Sequence, residues 1–293
     1  MIASRRTVLA GLAAGALTGC DRPGSLASGG RVASAAPAAA GGSRAPGTVP
    51  PAVPSAAPVL TRAQVVARYG HLRPRTWGFG GPGVVRDLHT SRRVIALTFD
   101  ACGGPGGSGY DQALIGFLRR REVPATLFLN SRWIDANPAA FGQLAAEPLF
   151  EIANHGTRHL PLSVTGRSAY GIPGTRNAGE VYDEVATNQA KLRRLLGVPP
   201  GLFRAGTAYC DDVAARIVTA MGDRLVSFSV NGDGGATFTP GQVRSTVAAA
   251  PGGSIVICHM NHPESGTAQG IAASVPYLLA RGYRFARLSD ELR

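Results

Sequence analysis

Two histidines four residues apart, in Asn154-His155-Gly156-Thr157-Arg158-His159, carry the sharpest chemical signal in the chain. At that spacing two neutral imidazoles can project to one side and share a metal ion, provided other groups fix their remaining ring nitrogens. Gly156 marks the first half of the segment as loop rather than helix interior. Alone, the pair is a weak signal and reads more readily as chance in a chain with six histidines. Thr98-Phe99-Asp100 closes an apolar run and opens onto Gly103-Gly104-Pro105-Gly106-Gly107. A carboxylate there can act as a general base or a ligand, or simply cap a turn. No GK[ST] follows the glycines, so the loop is not one that cradles phosphate. His259 ends the apolar run 254–258 and suits a general acid with a tuned pKa, or a hydrogen-bonded core histidine. His262, three residues on, reads as a loop residue.

These residues need elements to hold them. Short apolar runs at 94–99, 125–129, 150–153, 202–205, 225–230, 254–258 and 283–288 read as buried strands. Helical spacing of apolar residues falls between them, at 111–121, 180–196, 211–221, 241–250 and 267–280. The helix at 180–196 stops at Gly197 with Pro199 and Pro200 beyond, an ordinary helix exit. Strand alternating with helix predicts an α/β fold with crossover helices and about seven parallel strands, either doubly wound or a (β/α) barrel. Chemistry in such folds gathers at the C-terminal strand ends. Asp100, Asn154 and His155, Arg204, Asp233 and His259 all fall there. Five strand ends carrying such residues are hard to explain as surface decoration.

In this order the segments resemble those of the polysaccharide deacetylases, the carbohydrate esterase family with the NodB-type domain. The family's TFDD corresponds to Thr98-Phe99-Asp100-Ala101, and its HxxxH to His155–His159. Its Arg-led segment corresponds to Phe203-Arg204-Ala205-Gly206, its Asp region to Asn231-Gly232-Asp233, and its strand ending in His to Ile255-Val256-Ile257-Cys258-His259. The resemblance spans about residues 93–292 and implies a distorted (β/α) barrel. It implies that His155 and His159 hold a divalent metal, most often zinc, which acidifies a water and polarises an acetyl carbonyl. It makes Asp100 the base, Arg204 the group that orients Asp100 and keeps it ionised, and His259 the acid, with Asp233 as charge partner of His259. The implied reaction removes N- or O-linked acetyl groups from an envelope or secreted polysaccharide.

One position departs from the pattern. The family's third ligand is the second Asp of TFDD, and here that residue is Ala101. Two neutral imidazoles would leave the site at +2 instead of +1 and hold the metal more weakly. Four outcomes stay open: Asp111 substitutes, Asp100 itself ligates, water fills the position, or the metal site is lost and the domain only binds carbohydrate. The last makes the chain a non-catalytic glycan-binding lipoprotein.

The remaining features concern location. The chain has 293 residues and a formal net charge of +12, nearly all from arginine, with Lys191 the single lysine. The arginines are dispersed rather than arrayed in a stripe, which argues against nucleic-acid binding and fits an anionic envelope or acidic polymer equally well. Residues 1–20 read as an export signal: Arg5-Arg6 in a twin-arginine-like context, a short apolar stretch, then Leu17-Thr18-Gly19-Cys20, which resembles a lipobox. Cys20 is the expected lipid-bearing residue, anchoring an exported protein to the membrane. Residues 21–60, rich in Ala, Gly, Pro and Ser, read as a disordered tether, and 61–293 as the deacetylase-like domain. Cys102, Cys210 and Cys258 follow predicted strands. An odd number leaves at least one free or paired between chains; small, semi-buried residues are the default reading, with a pair near the site also open.

Overall fold

A computed structural model describes residues 60–292. The expected signal segment, nearly all of the tether and Cys20 lie outside them. Eleven strands form: β1 Trp77–Gly78, β2 Val84–Val85, β3 Val94–Ala101, β4 Ala125–Leu129, β5 Phe150–Asn154, β6 Leu202–Phe203, β7 Cys210–Asp211, β8 Arg224–Val226, β9 Val230–Asn231, β10 Ile255–His259 and β11 Arg284–Phe285. The helices are α1 Arg62–Tyr69, α2 Gln112–Arg120, α3 Ser131–Ala136, α4 Pro138–Ala145, α5 Ala178–Leu196, α6 Asp212–Ala220, α7 Pro240–Ala248, α8 Thr267–Ala280 and α9 Leu288–Glu291. β1 and β7 pair as a separate antiparallel ribbon.

The main sheet has nine strands, in the order β2-β8-β6-β5-β4-β3-β10-β9 with β11 added on β3, and its pairings are parallel. It exceeds the expected seven because the run 225–230 divides into β8 and β9 and because β2 extends one edge. That division dictates the shape. β8 and β9 lie six strand positions apart in the order, which in a flat sheet is roughly 29 Å. Only the segment from Val226 to Val230 joins them, and its reach is at most about 14 Å. The sheet must therefore curl until its ends approach, giving a distorted (β/α) barrel.

Period-two alternation sorts the strand residues between two sides. On β3, Ile95, Leu97, Phe99 and Ala101 join the apolar cluster under α2, α3, α4 and α8. Val94 and Ala96 face the other way, in a smaller cluster with Phe128, Ala153, Leu202, Val226 and Ile255. Thr98 and Asp100 continue that second face toward the C-terminal rim, both buried. Apolar packing closes the barrel floor, and polar groups occupy its upper end.

Helix ends follow local chemistry. Thr61 and Gln64 form a capping box on α1, and Thr239 and Gln242 another on α7, each satisfying N–H groups that lack an intrahelical partner. α5 stops at Gly197, whose φ of 81° suits glycine. α1, α3 and α4 were not anticipated. α1 packs Val65 and Tyr69 against Val181 and Val185 of α5.

Asp223, between α6 and β8, is buried and receives one hydrogen bond, from Gln189 Nε2 at 3.0 Å. Burial pushes its carboxyl up to about 7, with Gln189 opposing. A folded pKa above the unfolded value means that the folded state binds the proton more tightly, so this stabilisation is complete below about pH 4 and is lost as pH rises through about 7. Asp223→Asn is expected to match the parent near pH 4 and to exceed it at pH 8 by on the order of 2–4 kcal/mol. Urea unfolding of both proteins at the two pH values checks this; equal stability at pH 8 contradicts it.

Candidate active site

Arg204, just past β6, lies wholly inside the barrel. Its Nη1 donates to Asp100 Oδ1 at 2.6 Å and to Thr98 Oγ1 at 2.9 Å, and its Nη2 donates to the Ser227 carbonyl at 2.9 Å. The guanidinium stacks on Phe128 at 4.0 Å from the ring centroid. A buried cation survives when its donors are matched by an anion and carbonyls, and here they are. Burial alone would raise the Asp100 pKa, but the charges of Arg204, His155 and His259 outweigh it and hold the carboxyl below its ordinary value. Asp100 thus stays ionised, with Oδ2 at 3.5 Å from His155 Nε2.

The His155–His159 loop leaves β5 and is anchored from beneath. His155 Nδ1 donates to the Arg204 carbonyl at 3.0 Å. A carbonyl only accepts, so Nδ1 carries a proton, which leaves Nε2 as the ring nitrogen turned toward the site. Asn130 Nδ2 donates to the carbonyls of His155 and Gly156, each at 2.9 Å. Glu184 of α5 is buried, and its carboxylate accepts from the backbone N–H of Thr157, Arg158 and Leu160 at 3.0, 2.9 and 3.2 Å. Burial lifts the Glu184 pKa against the pull of these donors. A Cβ on Gly156 would stand 2.5 Å from Glu184 Oε1, so only glycine lets the carboxylate so close. His159 adopts φ 62°, a strained value for a non-glycine residue and one met often at functional sites.

His259 ends β10 directly opposite Asp100 in the sheet register. Its Nδ1 donates to Asp233 Oδ1 at 3.0 Å, and its backbone N–H donates to Asp233 Oδ2 at 2.6 Å. Thr267 Oγ1 gives Asp233 Oδ2 a further hydrogen bond at 3.0 Å. Burial alone would lower the His259 pKa; the Asp233 carboxylate reverses this and holds it well above the ordinary imidazole value. Asp233 is therefore brought to the ring that its sequence position suggested. The rim encloses a cavity of about 1110 Å³ lined by Asp100, Cys102, His159 and His259 together with Tyr170, Thr207 and Phe228.

Cys102, which sequence reasoning had not placed among the ligands, meets the two histidines. The potential donor atoms of Cys102, His155 and His159 all lie within 4.8 Å of one another, with Cys102 Sγ 3.8 Å from His155 Nε2. Burial favours the neutral thiol, but His159, His155 and His259 around it hold its pKa well below the usual range. One sulfur and two imidazole nitrogens are donors that suit zinc, so the residues present fit a divalent metal. Asp111, considered above as a substitute ligand, does not join them. Its Oδ1 accepts from the Leu114 N–H at 2.9 Å as the cap of α2. The signal for Cys102 was available in the alternation: two residues beyond Asp100, it returns to the same side once Ala101 is taken by the core. Cys210 and Cys258 are buried, and the three cysteines among the described residues form no disulfide with one another.

The loop geometry makes Glu184 a positioning residue. Glu184→Ala would leave three part-buried N–H groups without their carboxylate partner and cost on the order of 1–3 kcal/mol, with metal affinity falling by about 10–100-fold as the His159 backbone relaxes. Thermal unfolding and a competitive zinc titration check this. An affinity loss without any thermal shift, or the reverse, would show that the carboxylate does not act through the loop.

A family model described as polysaccharide deacetylase matches residues 87–226. The chain is 32% identical over 220 residues to an uncharacterized protein of Streptomyces coelicolor, covering 72% of this chain and 78% of that one. It is 27% identical over 214 residues to a peptidoglycan-N-acetylglucosamine deacetylase of Bacillus cereus, covering 72% and 93%. Among solved structures, a family 4 carbohydrate esterase pseudoenzyme from Bacillus anthracis superposes with a TM-score of 0.61 at 19% identity, over 73% of this chain and 70% of that one. With the strand-end residues of that family gathered on one barrel rim, the chain belongs to the polysaccharide deacetylases.

Proposed function

We propose that the chain is a metal-dependent hydrolase that removes acetyl groups from an exported or envelope polysaccharide. The observation that carries this reading is the convergence of an ionised carboxylate, His159 and a carboxylate-backed histidine on one cavity, with a donor of His155 within 4.8 Å of those of His159 and Cys102. The sequence similarity to a peptidoglycan deacetylase supports the substrate class. When bound, a divalent metal such as zinc polarises the acetyl carbonyl and makes water more acidic. Asp100, kept ionised by Arg204, accepts the proton of the attacking water. His259 holds its Nδ1 proton on Asp233 and turns Nε2 to the leaving amine or alcohol, to which it delivers a proton. Thr207 and Asn261 belong to the cavity wall that a sugar would meet. Tyr170, on the cavity wall, is 76% exposed and offers a ring face to a sugar.

The amino-terminal signal and the candidate anchor Cys20 support an exported, membrane-tethered enzyme, with the tether supplying reach toward polymer. Cys102 beside the histidines offers a third donor, which favours the metal-dependent reading over a purely carbohydrate-binding one.

Acetate release from peptidoglycan, chitin oligomers and acetylated exopolysaccharide tests the function. Chelator should abolish it and added zinc or cobalt restore it. Asp100→Asn should lower kcat by about 10²–10⁴-fold with little change in KM. Tyr170→Ala should raise KM on polymer and leave kcat near the parent value. No release from all three glycans by metal-loaded protein would sink the reading.

A further inference from the structure

We infer that Cys102 is the third protein ligand of the metal, bound through its sulfur as a thiolate, so that the site is His₂Cys rather than the His₂Asp the family pattern implies. This rests on the metal-dependent reading above and adds a donor that the pattern does not supply.

Geometry carries it. In a tetrahedral site with Zn–S and Zn–N bonds of ordinary length, sulfur and nitrogen stand about 3.6 Å apart; Cys102 Sγ and His155 Nε2 are 3.8 Å apart. His155 Nε2 already faces the sulfur, because Nδ1 is committed to the Arg204 carbonyl. Ala101 cannot take this role, and its side chain is packed in the cluster under the helices. Asp100 Oδ1 is held by Arg204 at 2.6 Å and its Oδ2 stands 3.5 Å from His155 Nε2, but the donors that all lie within 4.8 Å of one another are those of Cys102, His155 and His159. Cys102 is also not engaged elsewhere. Cys258 packs on the helix side of β10 and Cys210 in the cluster around α5 and α6.

The chain direction fits as well. Gly103 follows at φ 66°, and a Cβ there would stand 2.5 Å from the Trp133 backbone nitrogen. The close packing of α3 on this turn keeps Cys102 at the cavity wall. A thiolate with two neutral imidazoles brings a divalent ion to +1, the charge that an Asp ligand would give. What changes is softness: sulfur favours zinc and cobalt over magnesium or manganese.

Cobalt(II) titration of the full chain reads this directly. One equivalent should produce a sulfur-to-cobalt charge-transfer band in the near ultraviolet, displaced by zinc. Cys102→Ser should lose the band and weaken cobalt binding by more than the ~10–100-fold that loss of a supporting partner costs. Cys102→Asp should bind cobalt without the band and shift preference toward manganese. Zinc should protect Cys102 from iodoacetamide, as read by peptide mass spectrometry, and chelation should expose it. Cobalt binding without the band, or a band that persists in Cys102→Ser, overturns the assignment while leaving acetate release to stand. A band in parent protein that releases no acetate supports the ligand and removes the deacetylase reading. No cobalt binding at all overturns the ligand.

Discussion

A buried arginine at the centre of a barrel is the constraint on which the site depends. Arg204 has no access to water, so its desolvation has to be offset inside the protein. Asp100 and Thr98 of β3 and the Ser227 carbonyl, just past β8, offset it, and the curled sheet brings them together. The arginine therefore fixes more than the charge of Asp100. Its own carbonyl accepts from His155 and so selects the imidazole tautomer. One residue sets the ionisation of the candidate base and the direction of a candidate ligand's lone pair.

Around this centre the rim is held by polar side chains acting on backbone. Asn188 Nδ2 donates to the Leu129 carbonyl and to Asn154 Oδ1, while Asn154 Nδ2 donates to the Val185 carbonyl. Glu184 and Asn130 grip the histidine loop from two other elements. Loops that expose side chains to a cavity leave their own N–H and C=O groups short of partners, and buried loops need such groups satisfied. The histidines can be precise because α5 and the start of α3 supply those partners.

Much of this was legible in sequence. β3, β4 and β5 and the helices read at 180–196 and 267–280 announced themselves by apolar period and by their ends, and Asp100, Arg204, Asp233 and His259 by falling at or near the C-terminal ends of strands. The less legible parts have physical reasons. α3 and α4 occupy six and eight residues, with Asn137 shared between them as C-cap and N-cap, too short for helical spacing to build a clear stripe. The division of 225–230 depends on sheet closure, which no local pattern reports. Glu184 sits among polar residues along α5, and its role exists only once the histidine loop lies over it.

Ala101 and Cys102 show the same limit at finer scale. Matching a motif position by position asks what residue occupies the place of the usual ligand, and the answer is a methyl group. The strand asks a different question. β3 keeps its pairing with β4 through Ala101, opposite Leu129, so the side chain at that position turns into the apolar layer. The next residue is the first free to turn toward Asp100, and it is a cysteine. A donor displaced by one residue can still reach the site, because the turn at Gly103 begins at once and α3 packs against it. Which face a strand residue presents therefore bears on which donor can reach the site, beyond its alignment to a motif.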